Sequence, residues 1–204
     1  MAGFSYWAEN RFFVQKNESG MESGCCGLTT REFLQGDKTE RINQALRKAG
    51  WFPNRRVDIP AVLAYYQQQG IKLNTAAITF YQEYYGIASR WYISAKLDAA
   101  PDFDFMLFPQ PPEYKIDVKD FMYDDPNSSI ESEEYSAVKA CAEETVVMVG
   151  EIGYYYPARV WIGDSGMIYC THEYDDKVLK FDSVMGLLQH ELSHHSLDSV
   201  AMKP

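Results

Sequence analysis

The residues with the plainest capacity for chemistry are His190-Glu191-Leu192-Ser193-His194. They match H-E-x-x-H in a stretch whose apolar spacing predicts a helix, which would set two imidazoles one turn apart on a zinc ion with the glutamate as general base. The chain would then be a small zinc-dependent metallohydrolase, because the metal lowers the pKa of its bound water to about 7 and the carboxylate takes the proton. A catalytic zinc needs a third protein ligand, however, and Asp198 is the candidate considered downstream of His194. At about 100° per residue the imidazoles lie roughly 200° and 240° around the helix from Leu188, away from the apolar stripe. The pattern therefore favours surface histidines on a terminal helix, so no metal or catalytic residue is expected. Loose zinc binding by His190, His194 and Asp198 stands between the two readings.

Other catalytic patterns are weaker still. Cys141 or Cys170 could meet His172 in space, but no local signature of a nucleophile surrounds them. Glu143-Glu144 reads as a helix end rather than a carboxylate pair. There is no G-x-S-x-G elbow and no phosphate-cradling glycine loop, and Gly150-Glu151-Ile152-Gly153 lacks the glycines and the following helix of a dinucleotide fingerprint. A protein that binds, with no cofactor, fits these residues better than an enzyme.

The elements that would position any site are mostly readable. The chain has 204 residues, of which 46% are hydrophobic and 15% aromatic, enough for one globular domain with a sizeable core. Its formal net charge of −10 argues against nucleic acid, whose binding rests on clustered Lys and Arg, and favours a basic protein partner. Four cysteines without C-x-x-C spacing suggest neither a zinc ribbon nor a disulfide framework, and adjacent Cys25-Cys26 read as ordinary thiols. No uninterrupted apolar run of membrane-spanning length and no leader-like start is seen, so the expected location is cytoplasmic, with no membrane partner.

Residues 1–36 form an expected N-terminal extension, partly flexible, because 17–27 is rich in Ser, Gly and Glu. A single domain is expected over 37–195, with 196–204 as a tail. Three helices are predicted, each closed by a glycine: Gly50, Gly70 and Gly86. Asp37 with Glu40 makes a capping box for the first, whose stripe is Ile42, Ala45, Leu46 and Ala49. Asp58 is the expected cap of the second, with Ile59, Val62, Leu63 and Tyr66 inward. Asn74 precedes the third, with Ala77, Phe80, Tyr81 and Tyr84. Strands are predicted at 90–95 and 103–108, then a helix over 132–143 with Tyr135, Val138 and Ala142 inward. From 145 the chain is β-rich, with Asp164-Ser165-Gly166 as a hairpin turn, a polar turn at 173–177, and a last helix from Ser183 that buries Val184, Leu187, Leu188 and Leu192. The order gives an α+β class: N-terminal helices packed on a mainly antiparallel sheet, with a C-terminal helix.

Three pieces then carry a family likeness. Gly50-Trp51-Phe52-Pro53-Asn54-Arg55, running on to Asp58, resembles the GW-x-P-x-R opening of the SUKH-3 family, a group of SUKH immunity proteins related to a yeast cell-wall regulator. Phe80 to Gly86 resembles the family's helix ending in an aromatic and glycine. Gly150-Glu151-Ile152-Gly153, followed by Val160-Trp161-Ile162-Gly163-Asp164-Ser165-Gly166, resembles its glycine-punctuated strand pair. The likeness spans roughly 40–192 and implies a SUKH-like α+β fold. It further implies a non-enzymatic immunity protein that neutralises a cognate polymorphic toxin, often a nuclease or other nucleic-acid-modifying enzyme. A regulatory interaction scaffold, as in the eukaryotic relatives, is the second alternative.

Within that reading Gly50, Trp51, Pro53, Arg55, Asp58, Gly86, Gly150, Gly153, Trp161, Gly163 and Gly166 are expected to serve structure. Trp51 should anchor the first helix to the sheet, and Arg55 should brace its own turn, with Asp58 as a possible partner. Acidic density makes Asp124, Asp125, Glu131, Glu133 and Glu134 candidate contacts for a basic toxin domain. Tyr154, Tyr155 and Tyr156 are the candidate aromatic anchor or, equally, core packing.

Overall fold

Strand alternation organises the structure, because successive residues of the central strands face two different cores. A computed structural model describes residues 32–87, 90–92, 102–109, 133–153, 158–172, 175–194, 197 and 199–203. The eight strands among the described residues are β1 (Glu32–Phe33), β2 (Arg90–Tyr92), β3 (Asp102–Leu107), β4 (Val146–Gly153), β5 (Ala158–Gly163), β6 (Ile168–His172), β7 (Asp175–Phe181) and β8 (Ser199–Lys203). They form one sheet in the order β1-β8-β2-β3-β4-β5-β6-β7, with every neighbouring pair antiparallel.

The helices among the described residues are α1 (Lys38–Lys48), α2 (Pro60–Gln68), α3 (Thr75–Tyr84), α4 (Glu133–Ala142) and α5 (Val184–Glu191). Val147, Val149, Val160, Ile162, Ile168 and Cys170 point to the larger core, which also takes Ile42 and Leu46 of α1, Val62 and Tyr66 of α2, Phe80 and Tyr81 of α3, and Leu187 and Leu188 of α5. Their alternates Val146, Met148, Trp161 and Tyr169 point the other way, onto Val138 of α4. The sheet is therefore covered on both faces, and the α+β reading holds.

Local chemistry explains most boundaries. Asp37 accepts from the Glu40 amide at 2.9 Å and Glu40 returns the contact to the Asp37 amide at 3.0 Å, so the capping box forms as expected. Asn74 caps α3 through the Ala77 amide at 2.7 Å. Gly50, Gly70 and Gly86 all carry positive φ after their helices. Asp58 does not cap α2: the N-cap is Ile59, which makes no side-chain cap bond, and Pro60 in the first turn supplies the start instead. Leu63, expected inward, is exposed, because the face of α2 is set by Val62 and Tyr66.

Two further differences come from strand pairing. The polar residues 175–177, expected as a turn, open β7, where Asp175 pairs with His172. Glu32–Phe33 and Ser199–Lys203, outside the span assigned to the domain from sequence, join one sheet edge, with β8 between β1 and β2. Neither strand has the apolar run that announces a strand by itself; partner backbones supply the reason for their conformation.

In β4 the pairing with β5 shifts register between Met148 and Gly150. A Cβ on Gly150 would lie 2.0 Å from the Met106 carbonyl oxygen of β3, so only glycine allows the two strands to meet there. The Tyr66 hydroxyl donates to the Met148 carbonyl at 2.5 Å, and the Phe108 amide donates to the Val149 carbonyl at 2.9 Å.

Candidate functional site

Two neighbouring places at β6 gather polar side chains, and His172 belongs to both. In the first, Cys170 and His172 stand two residues apart on the strand, and a register irregularity against β7 falls between them. Glu191 is the last residue of α5, three and four positions after Leu188 and Leu187, so it occupies the helix's buried stripe. Its side chain is only 9% exposed. His172 Nε2 lies 3.3 Å from both carboxylate oxygens, His190 Nδ1 lies 3.1 Å from Oε1, and the Cys170 thiol approaches Oε1 at 4.0 Å. One ligand atom each from Cys170, His172 and Glu191 lies within 4.8 Å of the others.

The position of α5 is held from outside this cluster. Lys38 Nζ donates to the Ser193 carbonyl at 2.9 Å and Gln189 Nε2 donates to Thr39 Oγ1 at 2.6 Å, tying both ends of the site to the start of α1. Burial opposes ionisation of Glu191, yet hydrogen bonds from His172 and His190 hold it below the ordinary carboxylate range. The same hydrogen bond raises His172 above the usual imidazole value. Burial pushes the Cys170 thiol well up, so it is a neutral S–H in this setting.

In this geometry His190, Glu191 and His194 are not arranged as an H-E-x-x-H centre requires. Helix α5 ends at Glu191, with Leu192 as its C-cap, so His194 is not one helical turn beyond His190 on a shared face. His190 and His194 are exposed, as the helical angles implied, while Glu191 turns inward to β6 instead of toward a metal-bound water. Asp198 lies outside the described residues.

The second place is a cleft of about 390 Å³, lined by Glu133, Glu134 and Ala137 of α4, Arg159 of β5, Thr171 and His172 of β6, and Asp175 to Val178 of β7. Its rim carries four carboxylates, Glu133, Glu134, Asp175 and Asp176, against Arg159 and Lys177. Arg159 forms an ion pair with Glu134. The cleft thus brings two of the expected acidic contacts, Glu133 and Glu134, together with two that the sequence reading assigned to a turn. Asp124, Asp125, Glu131, Tyr154, Tyr155 and Tyr156 lie outside the described residues.

The sequence model of the SUKH-3 immunity protein family matches residues 38–187. That span covers most of the chain, from α1 to the middle of α5. The chain belongs to the SUKH-3 immunity protein family. No curated protein and no solved structure matches it. Membership gives the protein a toxin-neutralising immunity function, in a family that is generally non-enzymatic, with a protein toxin as partner. Among the described residues no helix is long and apolar enough to cross a membrane.

The SUKH-3 signature residues divide into buried ones, Arg55, Gly150, Gly153, Trp161 and Gly163 among them, and exposed ones such as Pro53 and Asp58. Arg55 is buried and donates from Nη1 to the Glu83 carbonyl at 2.8 Å; this contact ties its turn to α3, and a Cβ on Gly86 would stand 3.6 Å from its Nη2. Trp51 stacks on Tyr84 at 6.4 Å between centroids and donates Nε1 to Glu83 at 3.1 Å. The anchor runs to α3, where the sequence reading had placed it on the sheet. Pro53 belongs to an exposed turn and Asp58 is exposed.

Trp161 is fully buried on the α4 side, beside Tyr135, with Nε1 donating to Thr171 at 3.3 Å. Gly163 makes room for Glu144, whose carboxylate takes the Ser165 amide at 2.6 Å and the Ser165 hydroxyl at 2.7 Å, and Gly166 turns the β5–β6 hairpin at φ 86°. Gly150 and Gly153, both buried, lie in β4. The sequence allowed Cys170 to meet His172 but did not bring Glu191 to the pair, although one signal was present: a carboxylate in register with Leu187 and Leu188 on the buried stripe.

Proposed function

We propose that this SUKH-3 protein neutralises a basic toxin domain, of the nuclease or nucleic-acid-modifying kind, by binding it through the acidic cleft between α4 and β5–β7. The carrying observation is the cleft rim, where Glu133, Asp175 and Asp176 are exposed and Glu134 is half-buried against Arg159, on a protein with a net charge of −10. A nucleic-acid enzyme is cationic where it meets phosphate, and an anionic rim steers association with such a surface. The same balance repels nucleic acid itself and anionic membranes. Binding needs no chemistry from the immunity protein, so the reading assigns it no catalytic residue. It acts in the cytoplasm, where a producing cell would meet its own toxin.

The test uses the cognate toxin domain. Replacing Glu133 and Asp176 with Lys should slow association and weaken affinity at least about tenfold at low salt, with a smaller difference at high salt, as measured by surface-binding kinetics. Unchanged association kinetics would remove the cleft from the interface. Tyr155→Ala reads the second candidate contact: if the tyrosines anchor the partner, binding weakens while the thermal midpoint stays in place.

A further inference from the structure

We propose that Cys170, His172 and Glu191 bind a borderline-soft divalent transition-metal ion, zinc(II) foremost, that ties α5 to β6. Thiolate sulfur, imidazole nitrogen and carboxylate oxygen form the mixed donor set that suits zinc, and neither calcium nor magnesium takes sulfur. In a tetrahedral site with bonds of about 2.0–2.3 Å the ligand atoms stand roughly 3.3–3.8 Å apart. The observed separations from Glu191 are 3.3 Å for His172 and 4.0 Å for Cys170, and all three atoms fall within 4.8 Å, so a small contraction closes the site. His190 Nδ1 lies 3.1 Å from the same carboxylate but is not one of the three atoms that fall together.

The position of the carboxylate adds to this, although Cys170 by itself would serve as a small core side chain. Cys170 is fully buried in the main core, and Glu191 sits where the stripe of α5 otherwise carries leucine. The carboxylate's partners are two imidazoles and a thiol at 4.0 Å, a weak contact for a group so far removed from water. A divalent cation would replace it with three bonds to metal. Binding would release the thiol proton to solvent as the thiolate forms, which makes the affinity rise with pH. Glu191 is here a ligand, not the base of a zinc hydrolase, and of the three ligands His172 also lines the toxin cleft.

Cobalt(II) titration of the full chain, followed by zinc competition, tests this directly. One equivalent should bind with a thiolate-to-cobalt charge-transfer band in the near ultraviolet, and zinc should displace it. A Cys25→Ser, Cys26→Ser, Cys141→Ser background should keep the band; adding Cys170→Ser should abolish it. Glu191→Gln and His172→Asn should each weaken zinc binding at least about tenfold. Should Cys170→Ser fail to fold by far-ultraviolet circular dichroism, His172→Asn decides, since His172 is partly exposed. Persistence of the band without Cys170, full-strength binding in Glu191→Gln and His172→Asn, or loss of binding only on replacing His194 would each overturn the proposal.

Discussion

Tyr66 and Tyr81 show how much a single hydroxyl can hold. Their oxygens are 2.7 Å apart, and each also reaches a carbonyl of the bulged strand, Met148 for Tyr66 at 2.5 Å and Val149 for Tyr81 at 2.9 Å. Two hydroxyl protons cannot serve three contacts. The Val149 carbonyl already receives the Phe108 amide, so the satisfying arrangement has Tyr81 donating to Tyr66 and Tyr66 donating to Met148. Burial raises both phenols well above their ordinary value, so the pair is neutral across the physiological range. Tyr66→Phe should therefore cost about 1–3 kcal/mol in denaturant unfolding, because it strands a buried carbonyl. Tyr81→Phe should cost less. The reverse order would show that the donor assignment is wrong.

At the scale of the element, capping separates two aspartates that look alike in sequence. Asp37 closes its box with Glu40, whereas Asp58 is exposed and its helix starts at Ile59 and Pro60. Asp37→Ala should lower stability by about 1 kcal/mol, and Asp58→Ala should stay within about 0.5 kcal/mol of the parent. Thermal midpoints of the two variants, measured side by side, check the contrast. Helices were legible because a 3.6-residue stripe and its caps are local: Ile42, Ala45 and Leu46, or Val184, Leu187 and Leu188, announce their own buried faces. Strands β1 and β8 were not legible, because what makes them strands is a neighbour far away in the chain.

For the whole molecule, the sheet edge deserves a direct test. Strand β8 lies between β1 and β2, pairing Val200 with Glu32 and Met202 with Trp91. Removing the chain from Ser199 onward would open the edge of β2 and leave β1 without a neighbour. Amide hydrogen exchange at 90–92 and 32–33 should then quicken markedly, while β5 and β6 remain protected. Undiminished protection at 90–92 would mean that β8 does not hold that edge in solution. The charge of −10 also acts at this scale, because it sets long-range steering without specifying a face.

By itself the sequence determined the class, the helices, the β5–β6 hairpin and the family likeness, all of which follow from periodicity, caps and short glycine-marked segments. Only the tertiary structure decided which polar residues meet. Glu191, placed by sequence in a metallohydrolase motif with His190 and His194, turns instead to Cys170 and His172. Asp175 and Asp176 join Glu133 and Glu134 across the α4 face of the sheet. The physical reason is the same in both places. A side chain's face is fixed by its own helix or strand, but its partner is fixed by how that element packs and registers against another far along the chain, which no local pattern records.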